Sequence, residues 1–274
     1  MPRIAAIQMA SGPNVSGNLN EAARLIAAAV GAGAGLVVLP ENFAIMGMLE
    51  QDKVAIRESD GQGPIQDFLA QQAIKQNIWL VGGTVPLVAQ DATKVRAACL
   101  VFDNTGKRVA RYDKNHLFDV RLEEGKETYA ESQTIEPGNE IAVVATPFGK
   151  LGLAVCYDLR FPELFRRMLD EDIELIALPS AFTAITGQAH WEVLVRARAI
   201  ENLCYVIAAA QGGYHVNGRQ TYGHSMIVDP WGATLQCLPN GPGVVSAEID
   251  RERLISTRRN FPALEHRRIY CAAK

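Results

Sequence analysis

Short, almost entirely apolar segments alternate along this chain with segments in which apolar residues recur at helical spacing. In the first helical segment Leu25, Ile26 and Ala29 lie on one face, and Asn18 is the residue we expect to cap that helix. Strands buried on both faces lose the alternation of apolar and polar residues. The arrangement therefore predicts a layered α/β fold. The predicted strands are 3–9, 36–39, 78–81, 95–102, 108–112, 141–146, 151–155, 174–178 and 205–210.

The remaining segments complete this plan. Asp103-Asn104-Thr105-Gly106 predicts a hairpin turn, because these residues tolerate left-handed backbone geometry. Residues 115–140 have little periodicity, and a loop of that length in a compact protein is typical of a functional segment. We predict further helices from 64, from 162 and at 189–202, and mostly strand at 225–249. With 274 residues, 48% of them hydrophobic, the chain is expected to form a single domain.

Composition excludes several classes of partner and cofactor. The net charge of −3 offers no basic surface for nucleic acid or for an anionic membrane. None of the five cysteines forms a C-x-x-C pair, so neither a disulfide framework nor a metal site is expected, and a reducing compartment is favoured. Residues 31–35, GAGAG, end a predicted helix instead of opening one, so they do not predict a dinucleotide site. We expect no cofactor.

Hydropathy predicts no membrane attachment. No apolar run approaches the ~18 residues of a membrane span. The apolar run at the start of the sequence is also too short for the core of a signal peptide. We therefore expect a cytoplasmic protein that contacts neither membranes nor nucleic acid.

The segment LGLAVCYDLRFPELFRR, residues 151–167, predicts a strand that ends near Cys156, then a turn, then a helix with Pro162 in its first turn. Such junctions expose one side chain on a sharp turn among backbone N–H groups, which is where a nucleophile acts. A free cysteine is also among the most buried residue types, so an ordinary core role for Cys156 stays equally open on this segment alone.

Glu41 and Lys114 each follow an apolar strand segment, as Cys156 does. Because ligands bind at the carboxyl ends of strands in layered α/β proteins, these three side chains are expected to converge there. A carboxylate that accepts the thiol proton, an ammonium group and the backbone N–H of Tyr157 would suffice for acyl transfer without histidine. Taken singly, Glu41 and Lys114 also fit an ordinary surface ion pair.

Three segments resemble the signature segments of the nitrilase (carbon-nitrogen hydrolase) superfamily in order and spacing: Pro40-Glu41-Asn42, residues 112–119 (YDKNHLFD) and residues 152–163 (GLAVCYDLRFPE). The resemblance implies a four-layer αββα sandwich across 1–274. It also implies a catalytic triad of Glu41 as general base, Lys114 as oxyanion stabiliser and Cys156 as nucleophile. Glu131, in Tyr129-Ala130-Glu131-Ser132, matches a second glutamate that holds the lysine and the incoming amide or water. Asp113 departs from the basic residue that close relatives carry beside the lysine.

Downstream segments resemble the branch of this superfamily that contains deaminated glutathione amidase. They are 179–182, 186–194, 196–202, 208–211 and 222–225. The resemblance implies a cysteine-dependent amidase that splits deaminated glutathione to 2-oxoglutarate and cysteinylglycine; its sister branch, omega-amidase, acts on 2-oxoglutaramate. The glycine-containing loop 212–220 offers His215 or Arg219 for the carboxylate of the leaving dipeptide.

Two other interpretations remain at this stage. A Cys-His hydrolase would need His116, His190 or His224 beside Cys156. A non-catalytic scaffold of the same fold would need none of the four catalytic-type residues. Family members pair through outer helices, so we also expect a homodimer or a larger homo-oligomer through the helices at 162–170 and 189–202. The sequence does not indicate which of Arg160, Arg196 and Arg198, if any, holds the substrate.

Overall fold

The computed structural model describes residues 1–122 and 127–270. Its helices are α1 (Val15–Gly31), α2 (Asp52–Ala55), α3 (Pro64–Gln76), α4 (Pro162–Leu169), α5 (Ala184–Asn202) and α6 (Arg251–Asn260). Its strands are β1 (Arg3–Gln8), β2 (Ala34–Val38), β3 (Trp79–Val88), β4 (Val95–Phe102), β5 (Arg108–Asp113), β6 (Asp119–Leu122), β7 (Glu127–Ala130), β8 (Val143–Thr146), β9 (Gly149–Leu153), β10 (Leu175–Ser180), β11 (Tyr205–Ala210), β12 (Gly212–Tyr214), β13 (Gln220–Tyr222), β14 (Ser225–Val228), β15 (Thr234–Leu238) and β16 (Gly243–Glu248).

Two six-stranded sheets form the centre of the molecule. The first has the strand order β16-β1-β2-β3-β4-β5 and the second the order β15-β14-β11-β10-β9-β8. In each sheet the middle strands β1, β2 and β3, or β9, β10 and β11, are parallel, and the strands outside them pair antiparallel. Such parallel cores require cover on both faces, which agrees with their nearly continuous apolar sequences.

Alternate residues of β1 show how the layers stack. Ile4 and Ala6 pack with residues of the second sheet and of α4 and α5, whereas Ala5 and Ile7 pack against α1 and α3. Since successive side chains of a strand point to opposite faces, the first sheet lies between a helical layer and the second sheet. The predicted four-layer αββα sandwich is confirmed.

Most element boundaries match the predictions, and two corrections have clear physical causes. The helix predicted at 189–202 begins at Ala184, because the Thr183 side chain accepts a hydrogen bond from the Thr186 N–H and caps it there. The cap of α1 is Asn14, not Asn18, because the Asn14 side chain accepts from the Gly17 N–H. Asn18 lies inside the helix and bonds to the backbone of Gly12 and Ala44.

The predicted hairpin of β4 and β5 and the Pro64 start of α3 are confirmed. The segment 115–140 contains more regular structure than expected, since β6 and β7 pair as a short antiparallel hairpin. Across the described ranges, 1–122 and 127–270, we find no helix with both the length and the apolar character needed to cross a membrane.

Candidate active site

Cys156 lies on a sharp backbone turn just after β9. Its φ of 48° is left-handed, which is uncommon for a residue with a side chain and is typical of strained functional positions. A short 3-10 turn, Cys156–Arg160, follows, and then α4 begins with Pro162 in its first turn. The thiol is 8% exposed, and Sγ accepts a hydrogen bond from the Ala181 N–H at 3.5 Å. The predicted strand-turn-helix junction therefore exists, although β9 ends at Leu153 instead of at 155.

Glu41 follows β2 and is 3% exposed. The backbone around it is held closely on two sides. A Cβ atom on Gly83 would lie 1.8 Å from the Pro40 carbonyl oxygen, so only glycine permits this approach of β3. The Gln211 side chain, just after β11 of the second sheet, donates to the Glu41 carbonyl oxygen at 3.0 Å. The backbone at Glu41 is thus held by contacts from β3 and from the end of β11.

Lys114 follows β5, which runs in the same direction as β2, so both side chains emerge at the same edge of the first sheet. The ammonium group is 1% exposed. It donates to Glu41 Oε1 and to Glu131 Oε1, each at 2.7 Å. Glu131 is held in turn by the Phe118 N–H, which donates to its Oε2 at 2.7 Å.

The structure thus brings Glu41, Lys114, Glu131 and Cys156 into one cluster. The Glu41 carboxylate and the Cys156 thiol are near enough for each to shift the pKa of the other, and Lys114 lies between the two glutamates. Tyr157 follows Cys156, and the first hydrogen bond of the 3-10 turn comes from the next residue, the Asp158 N–H. The Tyr157 N–H therefore precedes the bonded part of the turn, where N–H groups lack a partner within it.

Electrostatics assign protonation states to Glu41, Lys114 and Cys156. Burial disfavours the ionised Glu41, but the charge and hydrogen bond of Lys114 outweigh burial and hold the pKa of Glu41 below its usual value. Burial also opposes the charge of Lys114, and the charges of Glu131 and Glu41 outweigh it and raise the pKa of Lys114 well above its usual value. Glu41 and Lys114 therefore form an ionised pair at neutral pH.

The Cys156 thiol, unlike Glu41 and Lys114, is held in its uncharged form. Burial and, after it, the negative charge of Glu41 raise the pKa of Cys156 well above its usual value, although Lys114 acts against both. The resting nucleophile is consequently a neutral thiol beside an ionised carboxylate. This arrangement suits general-base activation at the moment of attack, and it does not store a thiolate in advance.

The cluster lies at the bottom of a cavity of about 370 Å³. Aromatic side chains form much of its wall: Phe118, Tyr129, Tyr157 and Phe182. Cationic side chains also line it, namely Lys53, Arg160 and Arg219, together with the carboxylates of Glu50 and Glu127, and Lys53 is paired with Glu50. A small cavity with an aromatic wall and with Arg160 and Arg219 in its lining suits a small anionic organic ligand.

Arg160 was one of three arginines that the sequence left open, and it lies in this cavity. Its guanidinium carbon is 5.4 Å from the Phe182 ring centroid and 5.8 Å from that of Tyr157. Its position four residues after Cys156, on the same turn, is the sequence signal that would have selected it. In contrast, Arg198 is buried and donates to the Leu159 carbonyl oxygen, and Arg196 donates to the Gly232 carbonyl oxygen.

The two residues predicted for the leaving group lie in different places. Arg219 lines the cavity, with its guanidinium carbon 5.2 Å from the Tyr129 ring centroid and a hydrogen bond to the Ala181 carbonyl oxygen. His215 is buried outside the cavity lining. Its ring nitrogens lie 2.9 Å from the Ser11 carbonyl oxygen and 2.8 Å from the Thr221 hydroxyl oxygen, so both are already used within the protein. The prediction of His215 as a substrate ligand is therefore not supported.

The histidines of the Cys-His interpretation also have other partners. His116 pairs with Asp158, His190 lies beside Arg160, and His224 contacts the backbone of Tyr222. Lys53, on the short helix α2, and Tyr129, on β7, also reach the cavity and were not predicted as lining residues. Within residues 1–122 and 127–270, no three side chains of His, Cys, Asp or Glu are grouped as a metal site would require.

Comparison with known proteins agrees with this geometry. Residues 3–259 match the carbon-nitrogen hydrolase family. The chain belongs to that family. The predicted superfamily and the predicted class of hydrolase are thereby confirmed.

Individual relatives match over most of their length. Deaminated glutathione amidase of Synechocystis sp. is 44% identical over 266 residues, which are 96% of this chain and 97% of that protein. The NitFhit protein of C. elegans is 40% identical with a TM-score of 0.89, and the match covers 97% of this chain and 65% of that one. Saccharomyces cerevisiae Nit3, described as a member of branch 10 of the nitrilase superfamily, is 31% identical with a TM-score of 0.87 over 98% of this chain and 97% of its own.

Proposed function

We propose that this carbon-nitrogen hydrolase cleaves deaminated glutathione to 2-oxoglutarate and cysteinylglycine through a thioester on Cys156. One observation carries the proposal: a neutral thiol, an ionised Glu41 and a charged Lys114 converge in a cavity whose lining includes Arg160 and Arg219. The relatives that bear the name deaminated glutathione amidase support the choice of substrate.

In the first half of the reaction, Glu41 takes the thiol proton as Sγ of Cys156 attacks the amide carbonyl carbon. The negative charge that develops on the carbonyl oxygen is stabilised by Lys114 and by the N–H of Tyr157. The C–N bond then breaks, and Glu41 gives its proton to the departing nitrogen. Cysteinylglycine leaves as an amine, and the 2-oxo-dicarboxylic acyl group stays on sulfur as a thioester.

In the second half, water takes the place of the leaving amine. Glu131, fixed by the Phe118 N–H, orients the water and holds Lys114, while Glu41 accepts a proton from it. The hydroxyl oxygen attacks the thioester carbon, the C–S bond breaks, and the thiolate recovers its proton from Glu41. The products are 2-oxoglutarate and the free thiol, so atoms and charges balance over the cycle.

The cations of the cavity suit the two carboxylates of this substrate. Arg160 lies on the turn that carries the nucleophile, and we assign it to the carboxylate of the acyl group. Arg219, in the loop between β12 and β13, and Lys53, on α2, also line the cavity, and we assign them to the carboxylate of cysteinylglycine. An uncharged leaving group such as ammonia would give Arg219 and Lys53 no carboxylate to bind.

The test is a comparison of kcat/KM for deaminated glutathione and for 2-oxoglutaramate, which share the acyl group. We expect deaminated glutathione to be preferred by about tenfold or more, equivalent to ~1.4 kcal/mol of transition-state discrimination. A preference for 2-oxoglutaramate would identify an omega-amidase. Inertness toward both amides would refute the proposed substrate.

We further propose a cytoplasmic homodimer that pairs through the outer helices. Val193 and Ile200 on α5 are 70% and 47% exposed, so this helix presents apolar side chains outward. Light scattering at micromolar concentration is expected to give twice the chain mass, and a monomeric mass would refute the pairing.

A further inference from the structure

Asp158 is a fully buried carboxylate that accepts four hydrogen bonds. Its Oδ2 accepts from the Val155 N–H at 2.8 Å and from the Tyr112 hydroxyl at 2.7 Å. Its Oδ1 accepts from the His116 N–H at 3.1 Å and lies 2.7 Å from His116 Nδ1. Each oxygen therefore receives one backbone donor and contacts one side chain.

These donors belong to the two segments that carry the reactive groups. Val155 directly precedes Cys156, whereas Tyr112 and His116 lie two residues before and two residues after Lys114. The two segments come from different sheets, since Cys156 follows β9 and Lys114 follows β5. Asp158 is thus a single side chain that joins the nucleophile turn to the backbone on both sides of the lysine.

Supporting contacts make this junction rigid. The Tyr112 hydroxyl, while donating to Asp158, also accepts from the Asn115 N–H at 3.3 Å. The His116 ring stacks on Phe161 with centroids 3.8 Å apart and planes 6° apart. Phe161 is the residue that leads into α4, so the lysine segment is also clamped to the helix behind the nucleophile.

Rigid connection matters here because the Cys156 backbone is left-handed and needs its neighbours to hold it. Lys114 must also remain at hydrogen-bonding distance from an oxyanion that forms on the carbon attacked by Sγ. A displacement of about 1 Å between reacting groups can lower the rate by about 10²-fold.

We propose that Asp158 is a positioning residue that sets the relative placement of Cys156 and Lys114 through its bonds to Val155, Tyr112 and His116. The inference rests on the roles proposed above for Cys156 and Lys114. Asp158 does not line the cavity, so it acts through these two residues and not on the substrate.

The isosteric variant Asp158→Asn tests this directly. An asparagine side chain must point its NH₂ group at one of the two positions now occupied by carboxylate oxygens. Each of those positions faces a backbone N–H, of Val155 or of His116, which cannot reverse its direction. Either orientation therefore places a donor against a donor and loosens one of the two segments.

Asp229→Asn is the matched control. Asp229 is also a buried carboxylate: its Oδ1 accepts from the backbone N–H groups of Trp231 at 2.9 Å and Ala233 at 2.8 Å, and its Oδ2 pairs with Arg253 at 2.8 Å. It closes a turn after β14 and does not line the cavity. The two substitutions make the same chemical change at buried carboxylates. Asp229→Asn costs the ion pair with Arg253 and can keep both backbone bonds, whereas only Asp158→Asn touches the proposed junction.

The measurements are Tm, kcat, KM and the second-order rate of Cys156 alkylation by iodoacetamide at fixed pH. For Asp158→Asn we expect kcat to fall about tenfold or more with KM changed less than about threefold. Alkylation is expected to slow as well, because Lys114 then stabilises the thiolate less. For Asp229→Asn we expect a lower Tm, with kcat and the alkylation rate within about twofold of the parent protein.

The inference is overturned if folded Asp158→Asn loses less than about tenfold in kcat, or if Asp229→Asn loses as much kcat as Asp158→Asn does. If Asp158→Asn does not fold, Tyr112→Phe removes one bond to the carboxylate and is expected to lower kcat by about threefold or more at unchanged KM. Full kcat and full alkylation rate in Tyr112→Phe also overturn it. If the parent protein hydrolyses no amide, the proposed function fails, whereas the alkylation rates still decide the role of Asp158.

Discussion

Replacing Glu41 by Gln is expected to speed the alkylation of Cys156 by iodoacetamide and to slow amide hydrolysis. The negative charge of Glu41 is one of the two main causes of the raised pKa of the thiol, after burial. Glutamine keeps the shape and an oxygen that accepts from Lys114, but it removes the charge. The thiol of Glu41→Gln should therefore ionise at lower pH and react faster with iodoacetamide. Amide hydrolysis should nevertheless fall, because the general base is gone.

The expected changes follow from the charge of Glu41 near the thiol. Two unit charges about 4 Å apart interact by about 4 kcal/mol at an effective dielectric constant of about 20, so removal of a neighbouring charge has a measurable effect on ionisation. The midpoint of alkylation against pH is therefore expected to move to lower pH in Glu41→Gln. Loss of a general base typically lowers kcat by about 10²- to 10⁴-fold.

The assay follows loss of free thiol at Cys156 by intact-mass measurement after timed exposure to iodoacetamide across a pH series. Glu163→Gln, at an exposed carboxylate on α4, is the control and should leave the midpoint and kcat unchanged. A midpoint in Glu41→Gln that is equal to or above that of the parent protein would refute the argument that Glu41 keeps the thiol neutral. Unchanged kcat in the same variant would refute its role as the base.

Three further predictions concern the cavity and its charges. Arg160→Met should lower kcat/KM for both candidate amides by about 10- to 100-fold, whereas Arg219→Gln should lower it mainly for deaminated glutathione; steady-state kinetics on both amides checks this. Lys114→Met should reduce kcat by about 10³-fold and lower Tm, because it leaves the carboxylates of Glu41 and Glu131 without their cation. Lys150→Met, at an exposed position, should change neither kcat nor Tm. The free energy of unfolding should fall as the pH drops below 4.5. The pKa of Glu41 in the folded protein lies below this unfolded value, so the stability that its ionised form supplies is lost as the pH falls through the folded-state pKa. Acid denaturation curves of Glu41→Gln should show a weaker dependence on pH.

Local sequence patterns predicted the fold well because each element carries its own signal. The apolar strands and the Pro64 and Pro162 helix starts are visible in short windows, and the order of strands and helices restricts the architecture. The same reasoning predicted that Glu41, Lys114 and Cys156 converge, since all three follow strands that end at one side of the sandwich.

Tertiary contacts account for what the sequence did not predict. His215 and Arg219 belong to the same loop and were equivalent candidates, but the hydroxyl of Thr221 and the backbone of Ser11 occupy both nitrogens of His215. The role inferred for Asp158 was not visible either, because its partners at Tyr112 and His116 lie more than forty residues away in sequence. Such pairings depend on the approach of two sheets, which no short window encodes.

The central claim is that Cys156 forms a thioester with the acyl half of an amide, and trapping that intermediate tests it most directly. The protein is mixed with deaminated glutathione, quenched in acid during turnover, and measured by intact mass and peptide mapping. The account predicts one added 2-oxo-dicarboxylic acyl group, located on the peptide that contains Cys156 and absent from Cys156→Ala, which should also be inactive. Turnover by Cys156→Ala, or turnover by the parent protein with the acyl group mapped to another residue, would contradict it.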